Sequence, residues 1–321
     1  MRLLASFVAV LLAMAGAPAA AQSWPSGPVK LVVPYGPGST PDIMARLLAE
    51  KMAPRIGQPV VVENKAGAAG HIGTDAVAKA KPDGQTIGLS IAGPLAVNTL
   101  LFKRMPYDPA RDLQPVTIAA TQPSVLVAAP KLNIGSTSEL MALLKANPGK
   151  YNYGSAGNGT ILHLGAEQFK DATGTFSTHI PYRGTGPMVA DLIGGQVDWA
   201  VVALPAIQGQ VKAGLVRALA IASPQRSAAA PDIPTAAEAG VPGFQVEGWF
   251  ALIGPKGLSA EQVKRVNQAV VTAFGTPEVK EAMAKQGNMI HVSTPEAATA
   301  HFKRELVKYA ALVKKAGVEA Q

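Results

Sequence analysis

Apolar positions along the chain follow two rhythms. Val29-Lys30-Leu31-Val32-Val33, Val60 to Asn64 and Thr86 to Ile91 are short, β-branched runs of strand length, whereas Ile43 to Met52 and Ala68 to Ala80 carry apolar residues at helical spacing. Turn-rich segments separate them, notably Pro34 to Asp42 and Pro82-Asp83-Gly84. The middle repeats this grammar. Pro123 to Ala129 and Tyr151 to Gly154 read as strands on either side of a helix from Ser138 to Ala146, with Ser136-Thr137 as its cap region. Helices follow from His163 and from Gly186. Gly195 to Val201, Arg217 to Ala222 and Trp249 to Gly254 read as buried strands, and helices cover Ser259 to Phe274, Pro277 to Gln286 and Pro295 to Ala316. Strands alternating with helices predict an α/β fold whose parallel sheet is covered on both faces. No period of repeat length is visible.

The amino terminus stands apart from this pattern. Met1-Arg2, an apolar run from Leu3 to Ala15, Gly16 and Pro18, and then Ala19-Ala20-Ala21 have the form of a secretory signal cleaved after Ala21. A first core helix or membrane anchor is the alternative, but the run is short of the ~20 residues a bilayer demands. Cleavage removes 21 of 321 residues and leaves 300, ample for two lobes with their own cores. The formal charge of +8 falls to +7 without Arg2 and is scattered, which argues against nucleic-acid binding. With 0 cysteines, thiol catalysis, disulfides, zinc–thiolate sites and a lipid-anchored cysteine are excluded.

Three loops carry candidate chemistry. Pro34 to Asp42 leaves a strand and enters a helix, so its N–H groups and the helix dipole favour an anion; an ordinary connection with Asp42 as helix cap explains it equally. Gly154-Ser155-Ala156-Gly157-Asn158-Gly159-Thr160 offers hydroxyl, amide and bare N–H groups. It lacks both the closing Lys-Ser/Thr of a nucleotide loop and GxGxxG spacing, which leaves a cradle for a small anion. In Tyr182-Arg183-Gly184-Thr185-Gly186-Pro187, Arg183 offers a bidentate partner for a second carboxylate or is a solvated loop charge. An exported hydrolase using Ser155 and His163 is disfavoured because the GxSxG elbow is absent, and His163 reads as a capping or packing histidine. The 5 histidines are dispersed, so no metal site and no cofactor are expected.

These motifs, with Glu63-Asn64-Lys65-Ala66-Gly67, Gly70 and Gly73, Tyr107-Asp108-Pro109, Ala146 to Lys150, Asp191 to Asp198, Asp232 to Thr235 and Glu238-Ala239-Gly240, resemble the substrate-binding proteins of tripartite tricarboxylate transporters, the Bug receptor family. The match runs through the whole mature chain. The resemblance implies a two-lobed α/β periplasmic binding protein (type II, Venus flytrap) with two hinge crossings, near Gln122 and Glu247. Residues 22–122 with 248–321 would form one lobe and 123–247 the other. It implies that the loops containing Tyr35, Gly38, Ser39, Thr40 and Asp42, and Ser155, Ala156, Gly157, Asn158, Thr160 and His163, grip a ligand carboxylate, partly through water. Tyr182, Arg183, Gly184, Ala92, Gly93, Asn98, Pro205 and Phe250 are further expected pocket residues. One departure stands out: the family usually has two consecutive glycines and a threonine before the aspartate, whereas this chain has Gly38-Ser39-Thr40-Pro41-Asp42, which adds a side chain near the anion and removes a donor. The expected function is non-catalytic capture of a small carboxylate by a periplasmic monomer. Its partners would be transporter subunits in the membrane or a sensor protein, and no nucleic acid.

Overall fold

A computed structural model describes residues 24–320. The signal and its cleavage site after Ala21 lie outside the described residues. In chain order the main elements are β1 (Val29–Val33), α1 (Thr40–Ile56), β2 (Val60–Asn64), α2 (His71–Ala78), β3 (Thr86–Ile91), β4 (Leu113–Ala128), α3 (Thr137–Ala146), β5 (Asn152–Ser155) and α4 (Ile161–Thr173). There follow β6 (Thr178–Pro181), α5 (Thr185–Ile193), β7 (Trp199–Ala203), α6 (Leu204–Lys212), β8 (Arg217–Ile221), β9 (Glu247–Pro255), α7 (Ala260–Phe274), α8 (Pro277–Lys285), β10 (Met289–Ile290) and α9 (Pro295–Lys315). Among the described residues no helix is long and apolar enough to cross a membrane.

Strand order is β2-β1-β3-β9-β4-β7-β5-β6, with β8 and β10 also on β4. The expectation of a parallel sheet needs correction. β1 is parallel to β2 and β3, and β5 to β6 and β7, but β9 is antiparallel to β3 and to β4, and β4 is antiparallel to β7 and β8. The reason is topological: β4 carries the chain out of one lobe and β9 brings it back, so neighbours that cross the same boundary run in opposite directions. Along β4 the partner changes at the crossing. Gln122 and Pro123 face Gly248 and Glu247, whereas Ser124 and Val125 face Ala203 and Val202 of β7. Pro123, which has no N–H to donate, stands where one ladder hands over to the next.

Period-two side-chain alternation divides each lobe's apolar residues between two faces. Leu31, Val33, Phe250 and Leu252 pack with Met44, Leu48, Val266 and Phe274 from the helices on one face, while Val32, Trp249, Ala251 and Ile253 pack with Phe302 and Tyr309 of α9 on the other. In the second lobe Leu126, Trp199 and Val201 join Leu140, Leu144 and Phe169, and Val125, Val127 and Val202 join Met188, Leu192 and Ile207. One helix belongs to both lobes: Leu164 of α4 sits in the first lobe's cluster with Tyr309 and Val313, and Phe169 in the second lobe's.

Candidate functional site

The loop after β1 is closed largely on itself. Gly38 (φ 80) donates its N–H to Asp42 Oδ2 (2.8 Å), and Ser39 donates both its N–H (3.3 Å) and its hydroxyl (2.7 Å) to Gly36 O. Asp42 is buried. Burial alone would raise its carboxyl, but hydrogen bonds from Arg46 (3.1 Å), Gly38 and Asn64 (2.9 Å) outweigh that and hold it below the usual range. The chain's own carboxylate therefore occupies the positive end of α1 that a ligand anion was expected to take. Of the loop residues expected at the ligand, only Tyr35 reaches the cleft; Gly38, Ser39, Thr40 and Asp42 stand outside its lining. Burial pushes the Tyr35 phenol up to about 12, so it remains a neutral donor.

Beside Tyr35 the chain makes a turn in an uncommon conformation. Gly67, Ala68, Ala69 and Gly70 have φ of 131°, 46°, 53° and 89°. A left-handed alanine costs roughly 1–2 kcal/mol, so something must hold the segment. Ala69 O accepts from Asn98 Nδ2 (3.1 Å) and, more loosely, from the Tyr35 hydroxyl (3.5 Å). Asn98 Nδ2 also contacts His71 Nε2 (2.8 Å), whose imidazole burial keeps below its ordinary pKa and thus available as an acceptor.

On the second lobe, Ser155 ends β5 fully buried rather than exposed to the cleft. Its Oγ meets His179 Nε2 (2.7 Å) and accepts from Gly157 N (3.1 Å). Thr160 caps α4 by accepting from His163 N (3.3 Å), and Gly159 N donates to His163 Nδ1 (3.0 Å), so His163 is engaged by its own loop and stands outside the cavity lining, although it was also expected at the ligand. The His163 and His179 rings stack at 4.0 Å, and Tyr153 stacks on His179 at 4.8 Å. Burial lowers both imidazoles, His179 to about 4, and both are neutral at pH 7. A serine on a neutral imidazole has the outline of a nucleophile and base. Here the hydroxyl lies beneath its own loop, and among the described residues no carboxylate is hydrogen-bonded to His179.

The third loop supports the second instead of lining the cleft. Tyr182 N and Gly184 N donate to Ser155 O (3.0 Å) and Ala156 O (3.2 Å), and the Tyr182 hydroxyl donates to Asp191 Oδ2 (2.6 Å). Arg183 is exposed and outside the cavity. Ala92 and Phe250 are buried in the first lobe's core. Pro205 opens α6 beside Gly287.

What the lobes share is a cavity of ≈ 330 Å³. Of the residues named from the sequence, Tyr35, Gly93 and Asn98 line it from one side and Asn158 and Thr160 from the other. Val97, Gly159 and Ile161, within the expected segments, also line it; unforeseen were Ala69, Ile91, Leu101 and Phe102 on the first lobe, and Val318 and Glu319 after α9. A larger depression of ≈ 1120 Å³ lies against β8 on the second lobe; it contains none of these loops and is not shared between lobes.

Residues 44–318 match the profile of the tripartite tricarboxylate transporter family receptor, TctC. The protein BugT of Bordetella pertussis is 40% identical over 321 residues, covering 99% of this chain and 98% of BugT. Among solved structures, R. palustris Rpa4515 with adipate is 34% identical with a TM-score of 0.78, over 93% of this chain and 100% of that one. MatC from Rhodopseudomonas palustris with bound malate is 30% identical with a TM-score of 0.72, over 90% of this chain and 100% of that one.

Proposed function

Since the chain belongs to the tripartite tricarboxylate transporter family of receptors, we propose that it is a periplasmic monomer, released by cleavage after Ala21, that captures a small carboxylate and presents it to membrane transporter subunits without chemical change. The observation that carries this reading is the cavity bounded by loops from both lobes. The adipate of Rpa4515 and the malate of MatC support the ligand class.

In this reading residues 22–122 with 248–321 move against 123–247, bending where β4 and β9 cross at Gln122 and Glu247. A carboxylate held by the Asn158 to Thr160 segment on one lobe and the Tyr35 hydroxyl on the other contacts both only when the cleft is closed. That differential contact is what shifts the population. A thermal-shift screen of carboxylates on ligand-free protein tests it, since a ligand at a hundred times its dissociation constant stabilises the fold by about 2.7 kcal/mol. Small-angle scattering should then show a smaller radius of gyration with the best ligand. A micromolar ligand that left the radius unchanged would count against capture between lobes.

A further inference from the structure

The shared cavity is unevenly equipped. On the first lobe the Tyr35 hydroxyl shares Ala69 O with Asn98, whereas the loop Asn158 to Ile161 brings an exposed amide side chain, backbone groups and the positive end of α4, a helix of 13 residues. That is an anion-binding end. The rest of the lining is of another kind: Ile91, Val97, Leu101, Phe102 and Val318 are apolar, Leu101 lying against Gly159, and no lysine, arginine or histidine lines the cavity among the described residues. The polar groups there also disfavour an anion. Asn98 spends both hydrogens of its amide on Ala69 O and His71 Nε2, which leaves only its oxygen, an acceptor, for the cavity. Glu319 stands at the rim with a negative charge of its own. Arg183, the cation suited to a second carboxylate, is exposed elsewhere.

We propose that the cleft selects a monocarboxylate with an apolar body and rejects dicarboxylates. The inference rests on the receptor reading and names its substrate class. Its physical basis is an asymmetry of costs. An apolar tail gains from burial against five apolar side chains, whereas a second carboxylate placed there loses its hydration and meets an acceptor oxygen and a carboxylate. The cavity volume, at the small end of the ~300–1,000 Å³ usual for ligand pockets, restricts the body to a short chain or a single ring.

The test uses pairs that differ only in the far end, hexanoate against adipate and phenylacetate against its ring-carboxylated analogue. Each is titrated calorimetrically into ligand-free protein. The monocarboxylate of at least one pair should bind ten-fold or more tightly than its dicarboxylate partner. That ratio should shrink as the pH falls from about 7.5 to about 6, because a dianion obliged to bury one end binds better after taking up a proton. A dicarboxylate that bound as tightly as, or more tightly than, its partner in every pair would overturn the inference and leave the receptor reading standing. If neither member of any pair bound at millimolar concentration, the carboxylate reading would fall and this inference with it.

Discussion

The two lobes meet where Leu101 faces Gly159, and that contact separates fold stability from closure. A Cβ built on Gly159 lies 2.5 Å from Leu101 Cδ1, 2.8 Å from Cδ2 and 3.2 Å from Cγ, against the ~3.5–4.0 Å of an ordinary carbon contact. Three atoms of one side chain are too close, so the leucine must swing away as a whole. Overpacking of this kind costs roughly 1–3 kcal/mol, a loss of about 5- to 150-fold in affinity if it acts only in the closed form. Gly159 also has φ 72°, and an alanine there costs roughly 1–2 kcal/mol in open and closed forms alike. Gly159→Ala should therefore lower the melting temperature by a few degrees and, separately, weaken ligand binding. In a Leu101→Ala background the melting loss should persist while most of the affinity loss disappears. Calorimetry and thermal melts on the four proteins of the cycle read both quantities. Equal affinity losses with and without Leu101 would refute the contact as a feature of the closed state.

Three further outcomes are expected. Burial depresses His163 and His179, the latter from 6.5 to about 4, so the unfolded chain takes up protons first; stability present above pH 6.5 is lost as pH falls towards 4, and His179→Gln should flatten part of that decline in a melting-temperature profile. Asp42→Ala strands the donors of Gly38 and Asn64 and should cost about 3 kcal/mol in urea denaturation, with a cost below 1 kcal/mol showing that the buried carboxylate does not hold the first loop. Glu319→Lys reverses the rim charge at an exposed position and should improve adipate relative to hexanoate several-fold without moving the melting temperature, an unchanged ratio counting against any influence of the rim on the far end.

A strand apolar on both faces, such as β7, was readable because burial on both sides leaves no polar alternation to obscure it. The first part of β4, before the strand read from Pro123, was not, since Gln114, Pro115, Thr117, Thr121 and Gln122 interrupt its apolar run. The structure accommodates them through register shifts near Pro115 and Ile118 and through local partners. Thr117 donates to Ser293 O (2.9 Å), and Gln122 to Asn288 Oδ1 (3.0 Å). At the site, glycine-rich composition located the loops but not the direction of their side chains. Ser155 and Asp42 are polar residues in the expected loops whose hydrogen bonds are used inside the protein. Leu101, Phe102 and Val318 carry no pattern that distinguishes a cavity wall from core, whereas the glycines flanking Ala68-Ala69 were an available sign of unusual backbone.

Helix α4 limits how far such a receptor opens. Leu164 is 1% exposed and packed among first-lobe residues although its helix stands on the second lobe, and Asp171 near the end of α4 pairs with Lys315 at the end of α9. Wide separation would expose Leu164, at a cost of roughly 1.5–3 kcal/mol for one such side chain, before any ligand contact is counted. The exposed ion pair adds little. The lobes are thus held together partly by their own contacts, and a ligand has only to supply the remaining few kcal/mol, within the reach of a small acid that buries a short apolar body. The polar atoms of the loops after β1 and β5 are largely held by the protein's own hydrogen bonds. Binding therefore demands little reordering of them, and discrimination between acids falls to the walls of the cavity rather than to the loops that gave the site its recognisable sequence.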